Sequence, residues 1–176
     1  MAANYTEDEL YLIASLPHTI GAAMAFVGHS GLFGTGKEIF VSATSILNGV
    51  KEYPNNALIQ AILPNLQEDR QEAMSKMKQF RDWTTARMKE KGINSAEKMR
   101  AQALEDCRAV AKLVASKGNP QEVSEYKQWA MAVAEKVATA STEGGFLGFG
   151  GERLSANEKL LLAELEGALG AERLLA

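Results

Sequence analysis

From Leu10 to Gly36 the chain reads LYLIASLPHTIGAAMAFVGHSGLFGTG, without one Asp, Glu, Lys or Arg. Lys37 and Glu38 interrupt it, and IFVSATSILNGV, residues 39–50, is again free of formal charge. A water-facing chain that leaves so long a segment uncharged must bury it on most sides. Residues 10–50 therefore read as a central helical hairpin, and the later helices must cover it.

Two other destinations for such a segment are weighed against burial. A signal peptide needs a basic leader and a small-residue cleavage site, whereas this chain opens MAANYTEDELYL, acidic before the apolar run. A membrane span needs about 20 apolar residues. Leu10–Gly28 is long enough, but Ser15, Pro17, His18 and Thr19 sit in its middle and flanking Lys or Arg anchors are missing. The reading adopted is a buried helix of a cytoplasmic protein; insertion of residues 10–50 into a membrane is the alternative it competes with.

The rest of the chain alternates helix starts and stops. Thr6 precedes Glu7, Asp8 and Glu9, so its hydroxyl can cap free amides while the acids meet the positive end of the helix dipole. Pro17 kinks this helix or begins a new one, because it cannot donate to the carbonyl of Ile13. Thr35 with Glu38 makes a T-x-x-E capping box for a helix to about Tyr53, with Ile39, Phe40, Ala43, Ile46, Leu47 and Val50 at helical spacing. Pro54 and Pro64 bracket a short helix. Asn65 with Glu68 opens a long one to about Lys91, whose inward face is read as Leu66, Ala73, Met74, Met77, Phe80 and Trp83; Met74, Met77, Met88 and Met99 are read as core filler. Gly92 stops it. Asn94 with Glu97 opens the next, with Met99, Ala103, Leu104, Cys107, Val110, Ala111 and Val114 inward as far as Gly118. Asn119 and Pro120 start another, in which Val123, Tyr126, Ala130, Val133, Val137 and Ala140 step by three and four. Ser155 with Glu158 caps a last helix carrying Leu160, Leu161, Leu162, Leu165 and Leu169. No alternating β pattern occurs.

The predicted fold is all-α: one domain, a helical bundle of six to eight helices around the central uncharged hairpin. Residues 5–53 form that hairpin, 54–118 cover it, and 119–170 form a second hairpin. The two hairpins share an echo. Gly31-Leu-Phe-Gly-Thr-Gly-Lys-Glu38 and Gly145-Phe-Leu-Gly-Phe-Gly-Gly-Glu152 have glycine at the first, fourth and sixth places and Glu at the eighth. A pseudo-two-fold repeat would produce it, and so would chance between glycine-rich loops.

A helix, a small-residue turn, then S-x-x-E starting a Leu-rich helix, as in VATASTEGGFLGFGGERLSANEKLLLAEL, resembles the repeated unit of bacterial TerB-like (tellurite-resistance-type) helical domains. AFVGHSGLFGTGKEIFVSATSIL is similar to it more loosely. The resemblance covers about a third of the chain and implies a helical fold. It also implies a metal-linked acidic turn containing Asp-Gly, where this chain has Glu143-Gly144 and His29-Ser30, so no metal site is carried over.

Chemistry-bearing motifs are sparse. Gly31 to Lys37 fits G-x-x-x-x-G-K, yet a P-loop needs Ser or Thr next and a preceding strand, whereas Glu38 follows and a helix precedes. The single cysteine, Cys107, rules out an internal disulfide and a cysteine zinc cluster, and it lies on an apolar face. A net charge of −3 with no basic stripe argues against nucleic acid. The only histidines, His18 and His29, lie about 16 Å apart along one helix, too far to share a metal. His18 beside Pro17 can bond the freed carbonyl or a ligand, or be a hydrogen-bonded core residue.

Two candidate sites follow. A ligand pocket between the central helices would use His18, His29, Lys37, Glu38 and Glu152. Phe146, Leu147 and Phe149, among glycines, would form an apolar tip that docks a partner, unless the loop folds onto its own core. No catalytic residue, metal or cofactor is assigned. The expected function is a non-enzymatic module that binds a partner protein or a second copy of itself, with small-molecule binding near His18 as the alternative.

Overall fold

Where the residues before a helix are described, a side chain holds its first free amides. The Thr6 hydroxyl accepts from the Glu9 amide at 3.3 Å, and the Glu9 carboxylate accepts from the Thr6 amide at 2.7 Å, a closed capping box. Ser155 and Glu158 form another, and the Asn119 side chain accepts from the Gln121 amide at 2.9 Å. The computed structural model describes residues 4–28, 36–64, 70–142 and 154–171. They form α1 (Glu7–Gly28), α2 (Gly36–Glu52), α3 (Ala57–Ile62), α4 (Arg70–Glu90), α5 (Ala96–Lys117), α6 (Pro120–Thr142) and α7 (Ala156–Leu169), with no strand among the described residues. The all-α bundle is as the periodicity predicts.

The uncharged segment is the spine. α1 packs against each of the other six helices, most extensively α5 and α6. Ile13, Leu16, Ile20, Ala23 and Met24 are buried, and from Leu10 to Val27 only His18 is exposed. The buried centre is α1 with α6, and α2 closes one flank by packing chiefly on α6. Gly49 lets α2 approach: a Cβ there would stand 2.6 Å from the Trp129 indole nitrogen. α1 is also long and apolar enough to cross a membrane, with a mean hydropathy of 1.6 over its best window.

The polar residues inside the spine satisfy themselves. Ser15 donates to the Leu12 carbonyl at 2.8 Å and Thr19 to the Ser15 carbonyl at 3.0 Å, the local pattern hydroxyls adopt in helices. Pro17 lies inside one continuous helix. The carbonyl it leaves free, that of Ile13, accepts from the Tyr126 hydroxyl of α6 at 2.7 Å. That tie is made across the core, and His18 has no part in it.

One core cluster draws residues from α1, α2, α3, α5, α6 and α7, and α4 supplies none to it, fully or partly buried. The inward face read for α4 holds at Ala73, which is buried, and is corrected at the methionines: Met74 is 58% exposed and Met77 41%, while Phe80, Trp83 and Met88 are half-buried. Nine of its 21 residues are charged, too many for a helix with a deep buried stripe. Leu160 is likewise exposed, because α7 turns Leu161, Leu162, Leu165 and Leu169 inward. α5 is capped by Ser95, whose hydroxyl accepts from the Lys98 amide, one residue later than the Asn94 start the sequence suggested. The glycine echo and the cap pairs at Thr35 and Asn65 fall outside the described residues.

Candidate functional site

Of the residues assigned to a site from sequence, His18 is the one whose side chain is described. Lys37 and Glu38 fall in the first turn of α2, with side chains outside the described part. His29, Glu152, Phe146, Leu147 and Phe149 lie outside the described residues altogether.

His18 stands on the outward side of α1, its ring 5.2 Å from that of Phe80 in α4. Crowding by the bundle disfavours the charged imidazole and pushes its pKa down, to about 4. His18 is at the same time the one residue between Leu10 and Val27 that stays exposed. Below His18 the contact with α4 continues antiparallel to α1. Tyr11 meets Phe80 at 6.3 Å and Trp83 at 5.8 Å between ring centres, and the Trp83 indole donates to Asp8 at 3.2 Å. Arg87 stacks over the Trp83 ring at 5.7 Å. It also forks onto Asp106 of α5, with Nη1 at 2.9 Å from one carboxylate oxygen. Asp106 is 1% exposed, and Gln102 donates to it at 2.8 Å. The seat of α4 is thus two rings, Tyr11 and His18, and two carboxylates, Asp8 and Asp106.

Concave surface gathers elsewhere, at the end of the bundle where α5 stops and α6 begins. One cleft of about 400 Å³ lies between Ala115, Val123, Lys127 and the α7 cap at Gly170. Another of about 230 Å³ lies between Tyr5, Leu58, Lys117 and Glu122, with Gly118 lining both. Lys117 is held by both oxygens of Glu9 at 2.7 Å and sits 5.7 Å over the Tyr5 ring. That hydrogen bond holds the Glu9 carboxyl below the usual carboxylate range. The Tyr5 hydroxyl is shut from water and has no hydrogen-bond partner among the described residues. It therefore faces neither cleft with an accessible donor. Burial, then the Glu122 and Glu9 charges, raise its pKa and keep it protonated.

The reactive groups in the core are quenched. Cys107 is fully buried and its thiol is pushed up to about 12, chiefly by burial and then by Asp106, far from a thiolate at neutral pH. Tyr126 is raised well above its ordinary value, chiefly by burial. Among the described residues no group of three His, Cys, Asp or Glu is placed to hold a metal. Phe80 and Trp83, expected inward from their spacing, are half-buried against α1, but the spacing gave no sign of Arg87 and Asp106. Their partnership joins positions 19 apart on different helices, and no local pattern announces it.

Comparison with protein families, with curated proteins and with solved structures finds no match to this chain.

Proposed function

We propose that this chain is a non-enzymatic helical module for protein interaction or self-association, with the outward side of α4 as its contact surface. One observation carries the reading: α4 supplies no residue to the shared core cluster, buries only Ala73 among its apolar side chains, and holds Met74 and Met77 out to solvent. Lys78 follows Met74 by four positions and Arg81 follows Met77 by four, so both cations border the methionine pair. Methionine is unbranched and adaptable, suited to surfaces that accept more than one shape, and a rim of cations selects acidic partners. The quenched Cys107 and the self-satisfied hydroxyls of α1 support a scaffold role over a catalytic one. The TerB-like resemblance adds a helical frame to this reading and no chemistry.

Light scattering after size exclusion, on the chain and on a Met74→Ser, Met77→Ser variant, tests it. Assembly or partner affinity is expected to fall at least about tenfold with helicity unchanged, since removing central apolar anchors acts mainly on dissociation. Equal assembly of both proteins overturns it.

A second reading, membrane association through residues 10–50, draws on the length and hydropathy of α1. Recovery of the folded chain without detergent removes it.

A further inference from the structure

The contact between α4 and the rest of the molecule differs in kind from every other helix contact. The remaining six helices share one apolar cluster, and α4 is absent from it. Its backbone comes close to α1 alone. Between Gln71 and Gln79 only Ala73 is buried. Its C-terminal half is held by a polar and aromatic set: Phe80, Trp83 and Arg87 against Tyr11, His18, Asp8 and Asp106. Gln79 also accepts from the Tyr11 hydroxyl at 3.4 Å, and Lys91, just past the helix, pairs with Glu105 of α5 at 3.0 Å.

Phe80, Trp83 and Arg87 are spaced i, i+3, i+7 and share one face of the helix. When α4 leaves, Arg87 and Asp106 both regain water, so the ion pair resists separation far less than apolar burial of equal size would. The half-buried rings lose only part of their cover. The charges also match. α4 has six basic and three acidic residues in a chain of net charge −3, and its seat presents the Asp8 and Asp106 carboxylates.

We propose that the α1–α5 seat is an interaction surface for a helix presenting aromatic, aromatic and arginine at i, i+3 and i+7. α4 occupies it in cis and undocks as a unit while the other six helices stay folded. A partner helix of the same chemistry takes its place, and the displaced α4 frees its own apolar residues at the same moment. The proposal extends the interaction-module reading for its purpose, but its test needs neither a natural partner nor Met74 and Met77.

Hydrogen exchange read by mass spectrometry on the full chain gives the first measurement. Amides of residues 71–90 are expected to exchange at least about 100-fold faster than those of α5 and α6, and to be insensitive to low denaturant, the mark of local opening. The second uses a peptide of residues 70–90 added to the full chain. It competes with a tethered copy of itself, whose effective concentration is of millimolar order. Binding is expected to be at least tenfold tighter to a Phe80→Ala, Arg87→Ala chain, whose own α4 is weakened, and to be lost when Asp106→Asn is added. Equal protection of α4, α5 and α6 with a shared denaturant response overturns the proposal. So does failure of the peptide to prefer the weakened chain. Should the double variant not fold, the exchange profile of the unaltered chain decides alone.

Discussion

The hydroxyl of Tyr126 donates to the carbonyl of Ile13 at 2.7 Å, across the centre of the bundle and 113 positions away in sequence. That carbonyl is the one Pro17 cannot serve, because residue 17 would normally donate to residue 13 and proline has no N–H. Two sequence features that look unrelated are therefore one arrangement: a helix breaker in α1 and a buried tyrosine in α6. The pair fixes the axial register of the two central helices, since sliding either by a turn would orphan both groups.

Tyr126→Phe should cost about 1–3 kcal/mol, the penalty for leaving a buried carbonyl unpaired. Pro17→Ala returns an N–H to that carbonyl, so in its background the same Tyr126→Phe change should cost at least about 1 kcal/mol less. Urea unfolding of the four proteins closes the cycle. A cost of Tyr126→Phe that is the same in the parent and in the Pro17→Ala background sinks the idea that the hydroxyl compensates for the proline.

Gly49→Ala tests how closely α2 lies on α6. The new Cβ would meet the Trp129 indole at 2.6 and 2.8 Å and a Leu63 methyl at 3.1 Å. Trp129 is 1% exposed and the indole is rigid, so the backbone must move. The expected cost is about 1–3 kcal/mol, typical of overpacking a core. It should appear with a changed near-ultraviolet circular dichroism of the buried tryptophan. A variant as stable as the parent, with the same spectrum, would mean that α2 stands further off than described.

The parts of the fold that were legible in the sequence were local. The Thr6–Glu9 and Ser155–Glu158 boxes and the Asn119–Pro120 start depend on residues three apart or fewer. The seam of α6 was legible because Val123, Tyr126, Ala130, Val133, Val137 and Ala140 are all buried as their spacing implies. α4 shows where this stops. Met74 and Met77 have the same spacing as core residues, yet a period names a face and says nothing of whether anything covers it. The nine charges of α4 were the available warning. Partners that meet only after folding, such as Arg87 with Asp106 and Tyr126 with Ile13, leave no local trace. For the candidate sites, the sequence pointed to His18, whose described neighbour is Phe80; the side chains it was grouped with, those of His29, Lys37, Glu38 and Glu152, lie outside the described part.

His18 makes the docking of α4 sensitive to mild acid. Its pKa is lowered in the fold, so the unfolded or undocked form binds the proton more readily. With more protons bound outside the folded state, stability must rise with pH across the window between the two values. The stabilisation is complete above the ordinary pKa of about 6.5 and declines as pH falls toward the folded value. Between pH 6.5 and 5, above the range where carboxylates titrate, exchange of residues 71–90 should accelerate while that of α6 holds. His18→Gln should flatten this response. Acceleration of equal size in the His18→Gln protein would assign the effect to another group.

Asn56 gives the sharpest test of the buried polar contacts. It is fully buried, its side-chain oxygen accepts from the Ile59 amide at 3.0 Å, and its nitrogen donates to the Glu122 carbonyl at 3.0 Å and the Glu125 carboxylate at 2.9 Å. One side chain thus caps α3 and fastens it to the first turns of α6. Asn56→Asp keeps the cap oxygen and the volume but loses the donor, and it sets a second carboxylate against Glu125. At pH 7 this should cost about 3–5 kcal/mol, the range for an uncompensated buried charge, and more than Asn56→Ala. Burial and the Glu125 charge raise the pKa of the new carboxyl in the fold, so the folded state is the one that holds the extra proton. Its deficit relative to the parent should therefore shrink as pH falls from 7 toward 4, when a protonated Asp can again donate to Glu125. Chemical denaturation at stepped pH follows this directly. A deficit that stays constant with pH would show that the side chain at 56 reaches water, and that α3 is not held to α6 through it.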